Sequence, residues 1–465
     1  MGRLLVVSNR LPVTVKKRKQ SLEFVQSVGG LATGLGSFYD SYDIAWIGWP
    51  GIASGKLSDE EREQITSRLA NEHSSRPVFL SKKEIEMYYQ GFCNKTIWPL
   101  FHYFIQNAVY SRKFYEYYKN MNVRFFNSLA EMLKPGDTVW VHDYHLMLLP
   151  EMIREKYPSV KIGFFLHIPF PSYEVYRCLP WRRPILRGLL GSDIIGFHTN
   201  GYAAHFADSV RLLLGHNKEK DTILAGGRKV KVKAFPMGID YEHFSTYPES
   251  QEVKGEISRI RRRTGDRRII LSIDRLDYTK GIINRLVAFD LFLKDNPKFR
   301  GNVTLFLIAV PSRTAIESYK QLKKQLDELV GRINGRYGSM GWTPVCYMYK
   351  HIPFRTLVAL YNIADVGLVT PLRDGMNLIA KEFVATKTDG RGMLILSELA
   401  GAAHELGEAI IVNPNNKFRI AEAIEKALTT PEKEQIERNG RMQERLKRHN
   451  IRRWARDFIE NMGHS

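Results

Sequence analysis

The chain has 465 residues, of which 44% are hydrophobic and 25% charged. That length exceeds one ordinary core, so two domains are expected, and the balance excludes a disordered or membrane-embedded chain, since no apolar run is long enough to span a bilayer. A formal net charge of +20 admits either a nucleic-acid surface or an anionic substrate beside a solvated basic face. No nucleic-acid motif accompanies the basic runs at 16–19, 259–268 and 445–453, so the second reading is preferred.

In chain order, residues 4–8 form the first apolar strand, too close to the N-terminus to leave room for a signal peptide. Two alternating segments, 13–15 and 22–25, predict a hairpin whose tip carries the first basic run. Strands are then expected at 138–142, 161–166 and 193–196, with helical patterns between them. A second set follows at 269–273, 303–309, 345–349, 366–369, 393–396 and 410–412. Strands alternating with helices predict parallel sheets covered on both faces, and six in the second set is the count of a complete Rossmann unit. Turn chemistry in Phe235-Pro-Met-Gly-Ile-Asp240 places a boundary near Asp240, giving domains 1–240 and 241–449. The segment 450–465 is amphipathic, with Trp454 and Phe458 at i, i+4, and is expected to pack back onto the first domain. Three distant cysteines, Cys93, Cys178 and Cys346, are expected to be reduced, packed thiols of a cytoplasmic protein.

The chemistry-bearing residues cluster at strand ends. Arg10 follows the first strand and precedes a Gly29-Gly30 pair, whose amides could approach a phosphate; the plainer readings are a surface ion pair and a simple turn. Tyr89 and Trp98 offer flat rings suited to a sugar face, although aromatics at this spacing also serve as core, the reading preferred for Tyr88. Among His142, Asp143, His145 and His167, metal binding lacks a third ligand at helical or cysteine spacing. Asp143 and His167 are read instead as partners for sugar hydroxyls, and His198 as structural. Arg275 and Lys280 sit just past an apolar strand, where a cation pair suits a diphosphate that gains charge as it leaves. Beyond the strand 366–369, Gly375, Met376, Asn377 and Leu378 offer amides at a helix start, with Asp374 as the expected cap. Glu382 is either a ribose ligand or an exposed helix residue.

These residues lie within an ordered set of motifs. S-N-R-L-P, G-G-L, W-I-G-W, Y-Y-x-G-F-x-N-x-x-x-W-P, H-D-Y-H-L and F-F-L-H-I-P-F-P-S come first, then L-P-W-R and G-F-H-T. They are followed by D-R-L-D-Y-T-K-G, V-P-S-R, T-P-L-R-D-G-M-N-L-x-A-K-E-F and L-S-E-x-A-G-A-A. From Val6 to about Asn413 the chain resembles the trehalose-6-phosphate synthases. Departures are mild: Cys93 in the aromatic motif, Met237 in the linker, and Ile282-Ile283 after the lysine motif.

The resemblance implies an α/β GT-B glycosyltransferase, two Rossmann-like domains facing a central cleft. It implies transfer of glucose, with retention and without metal or other cofactor, from a nucleoside diphosphate glucose such as UDP-glucose to glucose 6-phosphate. By matched position, Arg10, Tyr89, Trp98, Asp143 and Arg313 would hold the acceptor, with both arginines on its phosphate. Arg275, Lys280, Gly30, Asp374, Met376, Asn377, Leu378 and Glu382 would hold the donor. Arg275, Lys280, His167 and Asp374 would serve the transfer itself. Neither nucleic acid nor membrane is implied as a partner; a separate downstream phosphatase and a homo-oligomer are compatible with it. Glycerol 3-phosphate as acceptor and a non-catalytic sugar-phosphate sensor are the competing readings.

Overall fold

The computed structural model describes residues 2–18, 21–26, 43–314 and 316–463. The chain divides into two compact units, Met1–Pro236 with Arg452–Ser465, and Met237–Ile451.

Unit 1 is built on β1 (Leu4–Arg10), β2 (Val13–Arg18), β3 (Ser21–Gln26), β4 (Ile44–Trp49), β5 (Ser75–Pro77), β6 (Thr138–His142), β7 (Lys161–Phe165), β8 (Ile194–Phe197), β9 (Lys218–Glu219), β10 (Thr222–Ala225) and β11 (Arg228–Ala234). Strands β2 and β3 form a separate antiparallel hairpin, and the other nine form one sheet in the order β5-β4-β1-β6-β7-β8-β11-β10-β9. Pairing is parallel from β5 to β11. Strands β1, β4 and β6 are buried along nearly their whole length, as expected of a parallel sheet covered on both faces. Strand β11, by contrast, alternates buried valines with exposed lysines and closes the sheet against the antiparallel β9 and β10.

The helix Ile451–Met462 contributes Trp454 and Phe458 to unit 1. Their rings lie 5.3 and 4.8 Å from Trp140 of β6, and Trp454 Nε1 donates to the Phe235 carbonyl at 3.2 Å.

Unit 2 has β12 (Arg268–Arg275), β13 (Val303–Val310), β14 (Val345–Met348), β15 (Val366–Val369), β16 (Met393–Ser397) and β17 (Ile410–Val412). They form one parallel sheet in the order β14-β13-β12-β15-β16-β17. Alternate residues of β12 serve two apolar layers: Ile270 packs on one face, Ile269, Leu271 and Ile273 on the other. This two-residue alternation is the strand geometry expressed as a core.

Among the parallel strands of each sheet the order reverses once, between β1 and β6 in unit 1 and between β12 and β15 in unit 2. The crevice outside the carboxyl ends of two such strands is where open α/β sheets take their ligands. Arg10 ends β1 and Asp143 follows β6; Arg275 ends β12 and Asp374 lies in the turn after β15. The topology therefore gathers the candidate residues of each unit without reference to their chemistry.

Strands β4, β5 and β9–β11 exceed the sequence reading. The lysine alternation of β11 breaks the apolar run that marks a buried strand. Among the described residues no helix is long and apolar enough to cross a membrane. The cysteines are free, but Cys178 is exposed, so packing does not account for it.

Candidate active site

In unit 1 the S-N-R turn is shaped by its own polar side chains. Ser8 Oγ accepts from Trp46 Nε1 at 2.6 Å and donates to the Arg10 carbonyl at 2.7 Å. Asn9 Oδ1 accepts from the Tyr88 hydroxyl at 3.1 Å. With the turn fixed, the Arg10 guanidinium lies 4.7 Å from the Trp49 ring centroid and donates to Thr14 Oγ1 at 3.0 Å. Burial lowers its pKa against an opposing influence of Tyr89. Gly51 makes this placement possible: its φ is +92°, and a Cβ there would stand 2.5 Å from both Arg10 terminal nitrogens.

Tyr89 lies on an unusual element. Residues Ile85–Ile97 form a π-helix of 13 residues, whereas such i→i+5 bonding is normally confined to one turn and is frequent at functional sites. It sets the Tyr89 ring 6.1 Å from Trp49 and stacked 5.8 Å from His145. Tyr88 is fully buried, as the core reading had it. Trp98 is 5% exposed and packs against His102 and Tyr144, so most of its ring already belongs to the core.

Asp143 has a left-handed backbone, φ 72°, and its amide donates to the Phe165 carbonyl at 2.8 Å. Its Oδ1 accepts from the His167 amide at 3.2 Å, which ties the ends of β6 and β7 together. His167 Nε2 lies 3.0 Å from His142 Nδ1. Burial drives His167 down to about 3 and His142 well below the usual imidazole value, so both rings are neutral hydrogen-bonding groups at neutral pH. His198 is buried beside Phe165 and His167.

Unit 2 carries the second group. Lys280 Nζ reaches Asp374 Oδ2 at 2.6 Å, and these side chains are 10% and 14% exposed. The same carboxylate accepts from Asn377 Nδ2 at 2.8 Å and from the Gly375 amide at 3.0 Å. The helix Leu378–Ala385 is capped by Asn377, whose Oδ1 accepts from the Ala380 amide at 3.2 Å in a left-handed backbone, φ 67°. The cap is thus Asn377 and not Asp374, because Asp374 stands too far from the first turn and is engaged by Lys280. Gly375's amide is also spent internally; among the described residues those of Met376, Asn377 and Leu378 meet no acceptor.

Arg275 is exposed at the end of β12. Arg313, φ 47°, donates to Asp277 Oδ2 at 2.5 Å and to the Tyr319 hydroxyl at 2.7 Å. Burial acts to raise the Asp277 carboxyl, but Arg313, the Thr279 amide, Arg275 and Lys280 outweigh it and hold it below its ordinary value. Glu382 is no exposed helix residue: it is half-buried and accepts from the Tyr361 hydroxyl at 2.9 Å. Burial raises its carboxyl to about 7 although that hydrogen bond pulls the other way.

The structure therefore joins Arg10, Tyr89, Asp143 and His167 through Trp49, His145 and His142 in unit 1. In unit 2 it joins Lys280, Asp374, Asn377 and, by charge through Asp277, Arg275 and Arg313. Gly30 lies outside the described residues. Sequence reasoning missed Trp49, Gly51, Asp277, Tyr319 and Tyr361; Trp49 and Asp277 stood inside quoted motifs, but the partners of a neighbouring arginine are set by tertiary contact. Among the described residues no group of three His, Cys, Asp or Glu is placed to hold a metal ion.

The model of the family described as Glycosyltransferase family 20 matches residues 2–464. A bifunctional trehalose-6-phosphate synthase/phosphatase of Thermoproteus tenax is 48% identical, over 99% of this chain and 63% of its own length. The chain thus spans less than two thirds of that relative. The UDP-forming alpha,alpha-trehalose-phosphate synthase of Schizosaccharomyces pombe is 41% identical, over 98% of this chain and 90% of its own. The solved structure of the UDP-forming enzyme of Burkholderia xenovorans in complex with glucose-6-phosphate superposes with a TM-score of 0.89, at 34% identity, over 99% of this chain and all of that one. The two parallel-sheet units are of the GT-B type of these enzymes. The chain belongs to glycosyltransferase family 20.

Proposed function

We propose that this chain transfers glucose from UDP-glucose to glucose 6-phosphate, releasing UDP, with retention of anomeric configuration and without a metal. The observation that carries this is the Lys280–Asp374 pair at the switch point of unit 2, beside the amides of Met376, Asn377 and Leu378, in a chain whose family relatives are named for this activity. Unit 2 would hold the donor: Arg275, Lys280 and the three amides on the diphosphate, Asp374 on the glucose and Glu382 on the ribose. The acceptor would be held by Arg10, Tyr89, Trp98 and Asp143, with Arg313 as a second phosphate ligand, and His167 would bond the donor sugar. The glycine pair around Gly30 completes the donor set.

In the transfer the bond from the anomeric carbon to the β-phosphate oxygen breaks, and its electron pair goes to the diphosphate. The acceptor hydroxyl oxygen bonds that carbon from the same face and its proton passes to the departing phosphate oxygen, so no external base is needed. Arg275 and Lys280 stabilise the charge that grows on the leaving group. Hydrogen bonds from Lys280, Asn377 and the Gly375 amide to both oxygens lower the nucleophilicity of Asp374. His167, neutral because of burial, can bond a sugar hydroxyl without placing a second positive charge beside the cationic sugar. Three free cysteines and a nucleotide-sugar substrate fit a cytoplasmic setting, and a phosphatase acting on the product is the expected next enzyme.

The test is a donor-by-acceptor matrix of uridine, adenosine and guanosine diphosphate glucose against glucose 6-phosphate and glycerol 3-phosphate. UDP release with glucose 6-phosphate should dominate in buffer containing a metal chelator. Preference for glycerol 3-phosphate, or loss of turnover on chelation, overturns the assignment. Asp374→Asn should weaken donor binding; a covalent glycosyl adduct in the mass spectrum of the wild-type protein incubated with donor refutes the same-face mechanism.

A further inference from the structure

Arg285 lies on the helix Ile282–Asp295 and is fully buried. Its guanidinium spends every nitrogen. Nε donates to Thr370 Oγ1 at 3.1 Å, Nη1 to Ser272 Oγ at 2.7 Å and Asp274 Oδ2 at 2.6 Å, and Nη2 to the Lys280 carbonyl at 2.7 Å. Ser272 and Asp274 belong to β12, Lys280 to the turn after it, and Thr370 directly follows β15. One side chain thus grips both strands of the switch point beneath the residues that meet the donor.

The two segments are also joined directly. The Leu372 amide donates to the Thr279 carbonyl at 2.8 Å. Gly281, φ 67°, runs so close that a Cβ there would stand 2.4 Å from the Thr370 carbonyl oxygen. A buried ion pair is weak evidence for stability, because apolar residues of similar volume often serve as well. What an apolar residue lacks is the fork of donors that fixes a backbone carbonyl and two hydroxyls in one plane.

We infer that Arg285 is the positioning residue of the diphosphate clamp: it holds the Lys280 backbone against the end of β15, so that the ammonium reaches both Asp374 and the leaving diphosphate. This rests on the reading of Lys280 as a donor ligand. Its leverage is geometric, since a misplacement of about 1 Å can cost on the order of a hundredfold in rate.

The experiment is a double-mutant cycle of Arg285→Lys with Lys280→Ala on the full chain, read by calorimetric binding of UDP, by kcat and KM, and by thermal midpoint. The shorter, single-headed ammonium keeps a positive charge beside Asp274 but cannot span the four partners. Arg285→Lys should lower UDP affinity and kcat about 10- to 100-fold while the KM for glucose 6-phosphate stays within about twofold. In that background the penalty of Lys280→Ala should shrink at least about tenfold, the non-additivity expected of groups acting as one unit. Independent, multiplying penalties, or unchanged UDP affinity, overturn the inference and leave Arg285 as core. Should Arg285→Lys fail to fold, Thr370→Val, which removes one acceptor and keeps the ion pair, should show the same coupling at about 3- to 10-fold, and additivity there is equally fatal. Wild-type protein that binds UDP but transfers no glucose refutes the functional reading alone, because the binding cycle still decides Arg285.

Discussion

The two groups of candidate residues hold their positive charge in opposite states. In unit 1, Arg10 rests on the Trp49 ring and a threonine hydroxyl, and among the described residues no carboxylate pairs with it. In unit 2, Lys280, Arg285 and Arg313 each hold an aspartate: Asp374, Asp274 and Asp277. A cation on an aromatic face gains a phosphate without losing a partner. A paired lysine must share its carboxylate, so donor binding is an exchange of partners. On the proposed reading, Arg10 is a standing anion trap, whereas Lys280 on the donor and Arg313 on the acceptor phosphate exchange partners with what they bind.

The sharpest way to break this contrast is Lys280→Ala, which should lower kcat by on the order of 10² to 10³, about 3–4 kcal/mol. If Lys280 served only to neutralise Asp374, the Lys280→Ala, Asp374→Asn double variant would bind UDP, which lacks the glucose assigned to Asp374, as tightly as Asp374→Asn alone; weaker UDP binding in the double variant is the expected outcome. Arg10→Ala should act on binding instead, raising the KM for glucose 6-phosphate about 10- to 100-fold with kcat at saturation little changed. Gly51→Ala, whose methyl would strike the Arg10 guanidinium, should move the same constant in the same direction by about 3- to 10-fold. A fall in kcat without a change in that KM would place Arg10 elsewhere in the cycle.

The units should also titrate in opposite directions. His167, at about 3 in the folded protein, lies below its unfolded value of about 6.5, so its contribution is present above that value and lost as pH falls; His142 adds to this. Glu382, at about 7, lies above its unfolded value, so its contribution is kept at low pH and lost as pH rises through about 7. Between pH 7 and 5 the two oppose each other by about 2 kcal/mol each. Urea unfolding should therefore show Glu382→Gln losing stability on acidification relative to wild type and His167→Gln gaining it; identical slopes would remove the contrast. The smallest effect belongs to Tyr361→Phe. Losing the hydrogen bond that lowers Glu382 should shift the pH midpoint of donor KM upward by less than about one unit, and a downward shift would contradict the assigned role.

Much of this was legible in the sequence because parallel strands announce themselves. Residues 138–142 and 366–369 fold as strands with the expected bounds and are buried at every position, as both-face burial in a parallel sheet requires; 410–412 also keeps its expected bounds, although Ile411 is exposed. Strand β11 was invisible for the same physical reason: one wet face interrupts the run with lysines. Cationic candidates were legible by their place after strands, but their partners were not. Asp374 reads as a cap because Asp commonly caps helices, and only the distance to Lys280 shows otherwise. Glu382 reads as either a ribose ligand or an exposed helix residue because no local pattern reveals that Tyr361, 21 residues earlier, donates its hydroxyl hydrogen to it.

The π-helix carries one more consequence. With i→i+5 bonding the segment Ile85–Ile97 takes more residues to return to a given face than an ordinary helix does, and Tyr88, Cys93 and Trp98, five apart, are all buried. Removing residues from this stretch would tighten its winding toward that of an α-helix and swing Tyr89 off His145. The direction of that ring is thus written in the number of residues as much as in their kinds, so insertions and deletions here are as consequential as substitutions.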